Sequence, residues 1–174
     1  KEQFAKKIDK AIFPGMQGGP HENNIAAKAI AFKEALRPDF QDYAKQIISN
    51  AKVLCEHLQH YGFKIMFGGT DNHLILADVF SSKGITGHNA ETALDKAGIT
   101  LNKNMIPDDP RKPLDPSGIR LGTPAITTRG MKEEEMKLIA QFIKRAIENV
   151  DNENELSIIK QEVKKLTQKF PLYT

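Results

Sequence analysis

The chain has one cysteine, Cys55, so it cannot close a disulfide within itself. Cys55 stands in a helical pattern beside Leu54 and Leu58, which predicts a buried, inert thiol rather than a nucleophile. No apolar run approaches the length of a membrane span, and no secretory leader pattern is present, so the expected compartment is the cytoplasm. Charge of one sign is also missing. The net charge is +3 and it is dispersed, which leaves no electrostatic footprint for nucleic acid. Histidines offer no metal set: His57 and His60 share a helix face, but no carboxylate or cysteine completes a ligand group, so they read as surface residues. There is no internal repeat and no low-complexity segment. What remains is ordinary soluble composition, 40% hydrophobic and 27% charged, in 174 residues. That length suffices for one domain and the edge of another.

Two segments carry chemistry. In Ser117-Gly118-Ile119-Arg120-Leu121-Gly122-Thr123-Pro124-Ala125, one arginine ends a short apolar strand and a Gly-Thr-Pro turn follows. None of its sequence neighbours can neutralise Arg120. Its planar fork of donors suits a carboxylate held by two parallel bonds. A structural ion pair with a local Asp or Glu is an equally open reading. In Phe13-Pro14-Gly15-Met16-Gln17-Gly18-Gly19-Pro20, three glycines and two prolines precede a helical pattern. Such a loop lets backbone N–H groups approach an anion at a helix start, with Pro20 in the first turn. A tight turn with no ligand is the plainer reading. The loop matches neither a Walker motif nor a dinucleotide fingerprint.

Periodicity places these segments. Helices are predicted over about 2–11, 21–36 and 39–61. In the third, Phe40, Tyr43, Ile47, Ala51, Leu54, Leu58 and Tyr61 mark one face, Arg37-Pro38 precedes it and Gly62 ends it. Phe63–Phe67 and His73–Val79 read as short strands joined by a Gly68-Gly69-Thr70-Asp71-Asn72 turn. His73 is expected to make a structural hydrogen bond to backbone. Thr86 caps a helix that stops at Gly98. Ile99–Asn102 and Gly118–Gly122 are further strands, separated by an irregular loop with four prolines between Pro107 and Pro116. Thr123-Pro124 caps and starts a short helical turn. Two more helices follow, marked by Met136 to Val150 and Leu156 to Phe170. The acidic run Glu133-Glu134-Glu135 opens the first of these and reads as a solvated face. This order predicts an α+β fold: a small, mostly antiparallel sheet with helices on one face.

The two chemical segments stand in order with two others between them. These are Gly68-Gly69-Thr70-Asp71-Asn72-His73-Leu74 and Leu101-Asn102-Lys103-Asn104-Met105-Ile106-Pro107-Asp108-Asp109-Pro110. Together they resemble the C-terminal part of bacterial serine hydroxymethyltransferases, from about Phe4 to Phe170-Pro171-Leu172-Tyr173. The resemblance implies a pyridoxal-phosphate enzyme of fold type I that interconverts serine plus tetrahydrofolate with glycine plus 5,10-methylenetetrahydrofolate. It implies that residues 1–37 are the tail of a large cofactor-binding domain and 38–174 a small C-terminal domain. The family's Thr-Thr-Thr-Thr-His-Lys segment, which carries the Schiff-base lysine, does not occur here and is expected upstream of Lys1. With a chain that opens on lysine rather than methionine, this sets the expectation of a fragment, inactive alone. A stand-alone, non-enzymatic domain that pairs with another chain is the alternative.

By resemblance, Arg120 clamps the carboxylate of serine or glycine. Gly18 and Gly19 reach the cofactor phosphate of a neighbouring subunit, which implies a homodimer. Asn104, Lys112, Pro113 and Leu114 line the folate wall. The family often has Ser-Pro-Phe at the last three positions, so Lys112 and Leu114 depart from it. Asn23 replaces a frequent histidine. Lys103 is not expected to form a Schiff base, because its loop offers no apolar pocket. Residues 1–36 should carry an apolar face suited to the absent large domain, left exposed without it.

Overall fold

The computed structural model describes residues 2–172, so Tyr173, the last residue of the resembling stretch, lies outside the described residues. The chain divides into two compact units, Lys1–Gln41 and Asp42–Thr174.

In the first unit, α1 spans Glu2–Lys10 and α2 spans Glu22–Ala35. Between them the chain leaves helical geometry at Phe13 and Pro14, whose peptide is cis. Pro20 is not in the first turn of α2: the helix starts at Glu22 with His21 as its N-cap residue. No described residue of this unit is buried, and Phe32, Leu36 and Met16 are conspicuously exposed apolar side chains. Helix α3, Pro38–His60, begins here with proline in its first turn, where a missing N–H costs nothing. Its residues from Asp42 onward belong to the second unit.

The second unit is the α+β layer that the sequence predicts. Four strands, β1 Lys64–Ile65, β2 Leu74–Asp78, β3 Asn102–Asn104 and β4 Gly118–Gly122, pair antiparallel in the order β1-β2-β4-β3. Ile75 pairs with Leu121 and Ala77 with Ile119, and all four are buried. Residues directly opposite on antiparallel strands share a face, so this is the core face. Helices α4 Val79–Lys83, α5 Gly87–Lys96, α6 Pro124–Thr128, α7 Glu133–Glu148 and α8 Glu153–Gln168 complete the unit. The core joins that sheet face to Leu54, Cys55 and Leu58 of α3, Leu94 of α5, Met136 and Ile143 of α7, and Leu156 and Ile159 of α8. Burial raises the Cys55 thiol pKa, and Glu56 adds to the rise, so the sulfur is an inert core atom.

Several boundaries differ from the sequence reading. The strand expected over 63–67 is only two residues long, because Met66–Gly68 turns tightly and Phe67 takes a left-handed conformation. The strand expected to reach Val79 stops at Asp78. That aspartate caps α4 by accepting the Ser81 N–H, while Ser117 O takes the N–H groups of Val79 and Phe80. Ile99 lies in the turn that closes α5, its N–H bonded to Leu94 O, and β3 begins only at Asn102. Thr123 is the N-cap residue of α6, but its hydroxyl donates to Ile47 O in α3 rather than capping. Glu133 is not a purely solvated charge: its carboxylate accepts from Ser49 Oγ and Gln46 Nε2 of α3. Beside it, the fully buried Asn50 donates to Thr127 Oγ1 and Met131 O. These bonds fix α3 against the turn that follows β4, and therefore fix the strand that carries Arg120.

Candidate functional site

The other face of the sheet is the candidate site. Arg120 pairs with Leu76 of β2 on one side and Asn102 of β3 on the other, and all three sit on the face opposite the core. Arg120 is exposed and its side chain makes no ion pair or hydrogen bond among the described residues, so the structural ion-pair reading finds no partner there. It lines a cleft of about 490 Å³ with Leu74, Leu76 and the 66–72 turn. An exposed guanidinium with its donor fork free, over an apolar floor, is equipped to take a planar anion in two parallel bonds.

Asn104 shares this face. It sits opposite Gly118, two residues along β3 from Asn102, hence about 7 Å further along the strand. Its amide donates to Met105 O, which steadies the end of the strand. Lys112, Pro113 and Leu114 are exposed at the tip of the loop between β3 and β4. The structure thus brings Arg120 and Asn104 onto one face and puts the other three on the connection between their strands. His73 precedes β2, and its carbonyl takes the Thr123 N–H. Its ring makes no hydrogen bond among the described residues, so the expected side-chain bond to backbone is replaced by a main-chain one. Lys103 lies in a strand rather than a loop. It faces the helix side, where its Nζ meets Glu91 at 2.9 Å and its N–H bonds the same carboxylate. Those bonds lower the Glu91 pKa.

Sequence reasoning missed the anchor of the β3–β4 loop. Asp109 Oδ1 accepts from Arg111 N–H and Ser117 Oγ, while Oδ2 accepts from the N–H groups of Ile106 and Ser117. Four donors on one carboxylate close the loop onto the first residues of β4. Partial burial pushes the Asp109 pKa up, but the Ser117 hydroxyl and the three backbone N–H groups outweigh it and hold it at about 2. A depressed carboxyl pKa stabilises the fold above the unfolded value, near 3.8, and this contribution fades as pH falls through about 2. In Asp109→Asn the amide nitrogen must face at least one backbone N–H, whichever way it turns. The variant should therefore unfold at lower urea concentration than the wild type above pH 5, and the gap should close as pH drops from about 4 towards 2. A gap that stays constant across that window would show that the carboxylate charge is not what holds the loop.

Gly18 and Gly19 lie in the other unit. Neither has positive φ, and a Cβ built on either meets no atom within 4 Å. Among the described residues nothing requires glycine there, and they form no cradle around either. No described lysine is buried. Among the described residues, no three His, Cys, Asp or Glu side chains gather as a metal group, and no helix is long and apolar enough to cross a membrane.

The family model of serine hydroxymethyltransferase matches residues 1–143 of this chain. The chain belongs to the serine hydroxymethyltransferase family. It is 57% identical over 173 residues to the serine hydroxymethyltransferase of Acidobacterium capsulatum, which covers 99% of this chain and 40% of that protein. The chain thus spans about two fifths of the length of the relative it matches. Against a serine hydroxymethyltransferase's chemistry, the described residues fit only in part. They present a free arginine on an open sheet face, but no enclosed lysine and no cradle for a phosphate.

Proposed function

We propose that the chain is the C-terminal part of a cytoplasmic pyridoxal-phosphate enzyme that interconverts serine plus tetrahydrofolate with glycine plus 5,10-methylenetetrahydrofolate, and that it is inactive alone. The observation that carries this reading is Arg120: exposed, unpaired among the described residues, and set in a cleft on the sheet face away from the core. Its part is to hold the carboxylate of serine or glycine, so that the bond to be broken is fixed in direction. Asn104, with Lys112, Pro113 and Leu114 at the loop tip, supplies the folate wall. Gly18 and Gly19, whose open surroundings leave room for a close approach, serve the cofactor phosphate of the neighbouring subunit in a homodimer. On this reading 1–37 is the tail of the large domain and 38–174 the small domain. The exposed apolar side chains of α1 and α2 suit such a tail.

Treatment of the chain with pyridoxal phosphate, borohydride reduction and mass-spectrometric mapping tests the division of labour. The expected result is no specific adduct, because no described lysine is buried. One stoichiometric adduct at a single lysine would overturn the proposal and favour a self-sufficient domain.

A further inference from the structure

Phe67 stands at the lip of the Arg120 cleft under conditions that folding does not explain. Its backbone is left-handed, φ 59° and ψ 13°, a conformation that bulky residues seldom adopt. The residue is 86% exposed. Strain of this kind persists only where the surroundings impose it, and here the turn is tied on the C-terminal side of Phe67. Gln59 Nε2 of α3 donates to Gly68 O at 3.0 Å, and Thr70 Oγ1 donates to Leu74 O at 2.6 Å. Gly68, the next residue, is also left-handed at φ 73°, which glycine adopts freely, so the strain of the turn falls on Phe67. Leu74 and Leu76 form the apolar side of the same cleft, and Arg120 is its one charge apart from Asp71 in the turn.

An arginine–carboxylate pair open to water is weak and is screened by salt. The same pair shielded by an apolar wall is stronger and better directed. We propose that Phe67 is a positioning residue that shields the Arg120–carboxylate pair from water, with the strained turn holding its ring at the mouth of the cleft. The proposal rests on the reading of Arg120 as the carboxylate clamp.

The test uses the full-length, cofactor-loaded protein and measures glycine binding by calorimetry at low salt and at about 0.5 M salt. Asparagine tolerates the left-handed conformation, so Phe67→Asn keeps the turn and removes the ring. Phe67→Tyr keeps both. In Phe67→Asn, glycine affinity should fall about tenfold and become markedly more salt-dependent, with the melting temperature unchanged. Phe67→Tyr should behave as the wild type. Wild-type affinity and salt response in Phe67→Asn would overturn the proposal. So would a lowered melting temperature with binding intact, which would make the ring a packing contact with the rest of the protein. Arg120→Lys, run in parallel, separates the two ideas. If it loses glycine and Phe67→Asn does not, the clamp stands and the shield falls. If Arg120→Lys binds glycine normally, the clamp itself is wrong.

Discussion

In the full-length enzyme, Arg120→Lys is expected to lower kcat/KM for serine by about 100-fold or more while leaving the melting temperature where it was. The two halves of that expectation have separate causes. Lysine keeps the charge but replaces a planar fork with a single tetrahedral centre, so the carboxylate is attracted without being oriented. Misplacement of the reacting bond by even about 1 Å costs on the order of 100-fold in rate. Stability should not follow. Arg120 is exposed and has no ion pair among the described residues, and substitutions at such positions stay within about 0.5 kcal/mol. Steady-state kinetics and a thermal melt on the same preparation decide the matter. A normal rate would remove Arg120 from the substrate site. A lost rate with a collapsed melting temperature would make it a structural residue instead.

Legibility in the sequence tracked how local the cause was. Helices α3, α7 and α8 were readable because three-four spacing of apolar residues is written in the chain itself, and Thr86 does accept the Asn89 N–H as its cap. Strand β4 was readable from end to end, and Arg120 with it. The strands next to turns were not. Whether β1 runs on past Ile65 depends on the left-handed Phe67, and apolar β-formers at Met66 and Phe67 signal the opposite. The end of β2 depends on Ser117 O, some forty residues away, meeting the N–H groups of Val79 and Phe80. Asp109 lies in a segment whose resemblance was evident, yet its four donors come together only when the loop closes. Arg120 was visible as a candidate clamp, but its freedom from partners is a tertiary fact that spacing could not supply.

The second large effect concerns stability, at the point where α5 meets the sheet. Gly87→Ala is expected to destabilise the chain by about 3 kcal/mol. A Cβ on Gly87 would lie 2.2 Å from Gly118 O and 3.0 Å from Pro116 O, both backbone atoms. A side chain could swing aside from such an overlap, but these carbonyls cannot. The Pro116 carbonyl is itself held by the Gly87 N–H at 2.7 Å, and Gly118 is paired into β4 between β2 and β3. Helix α5 would have to back away from the strand, loosening Ala90 and Leu94 from the core. The left-handed argument for glycine does not apply here, because φ at Gly87 is not positive. The need is purely one of close approach. Chemical denaturation of Gly87→Ala beside the wild type should show a lower midpoint at unchanged slope, with a melting temperature lower by roughly 10 °C. The control is Gly84→Ala, where a Cβ meets nothing within 4 Å but φ is +72°. Strain without collision there should cost about 1 kcal/mol. Equal losses at the two glycines would mean that α5 can shift freely over β4, and that the tight seam between them is not what positions the strand carrying Arg120.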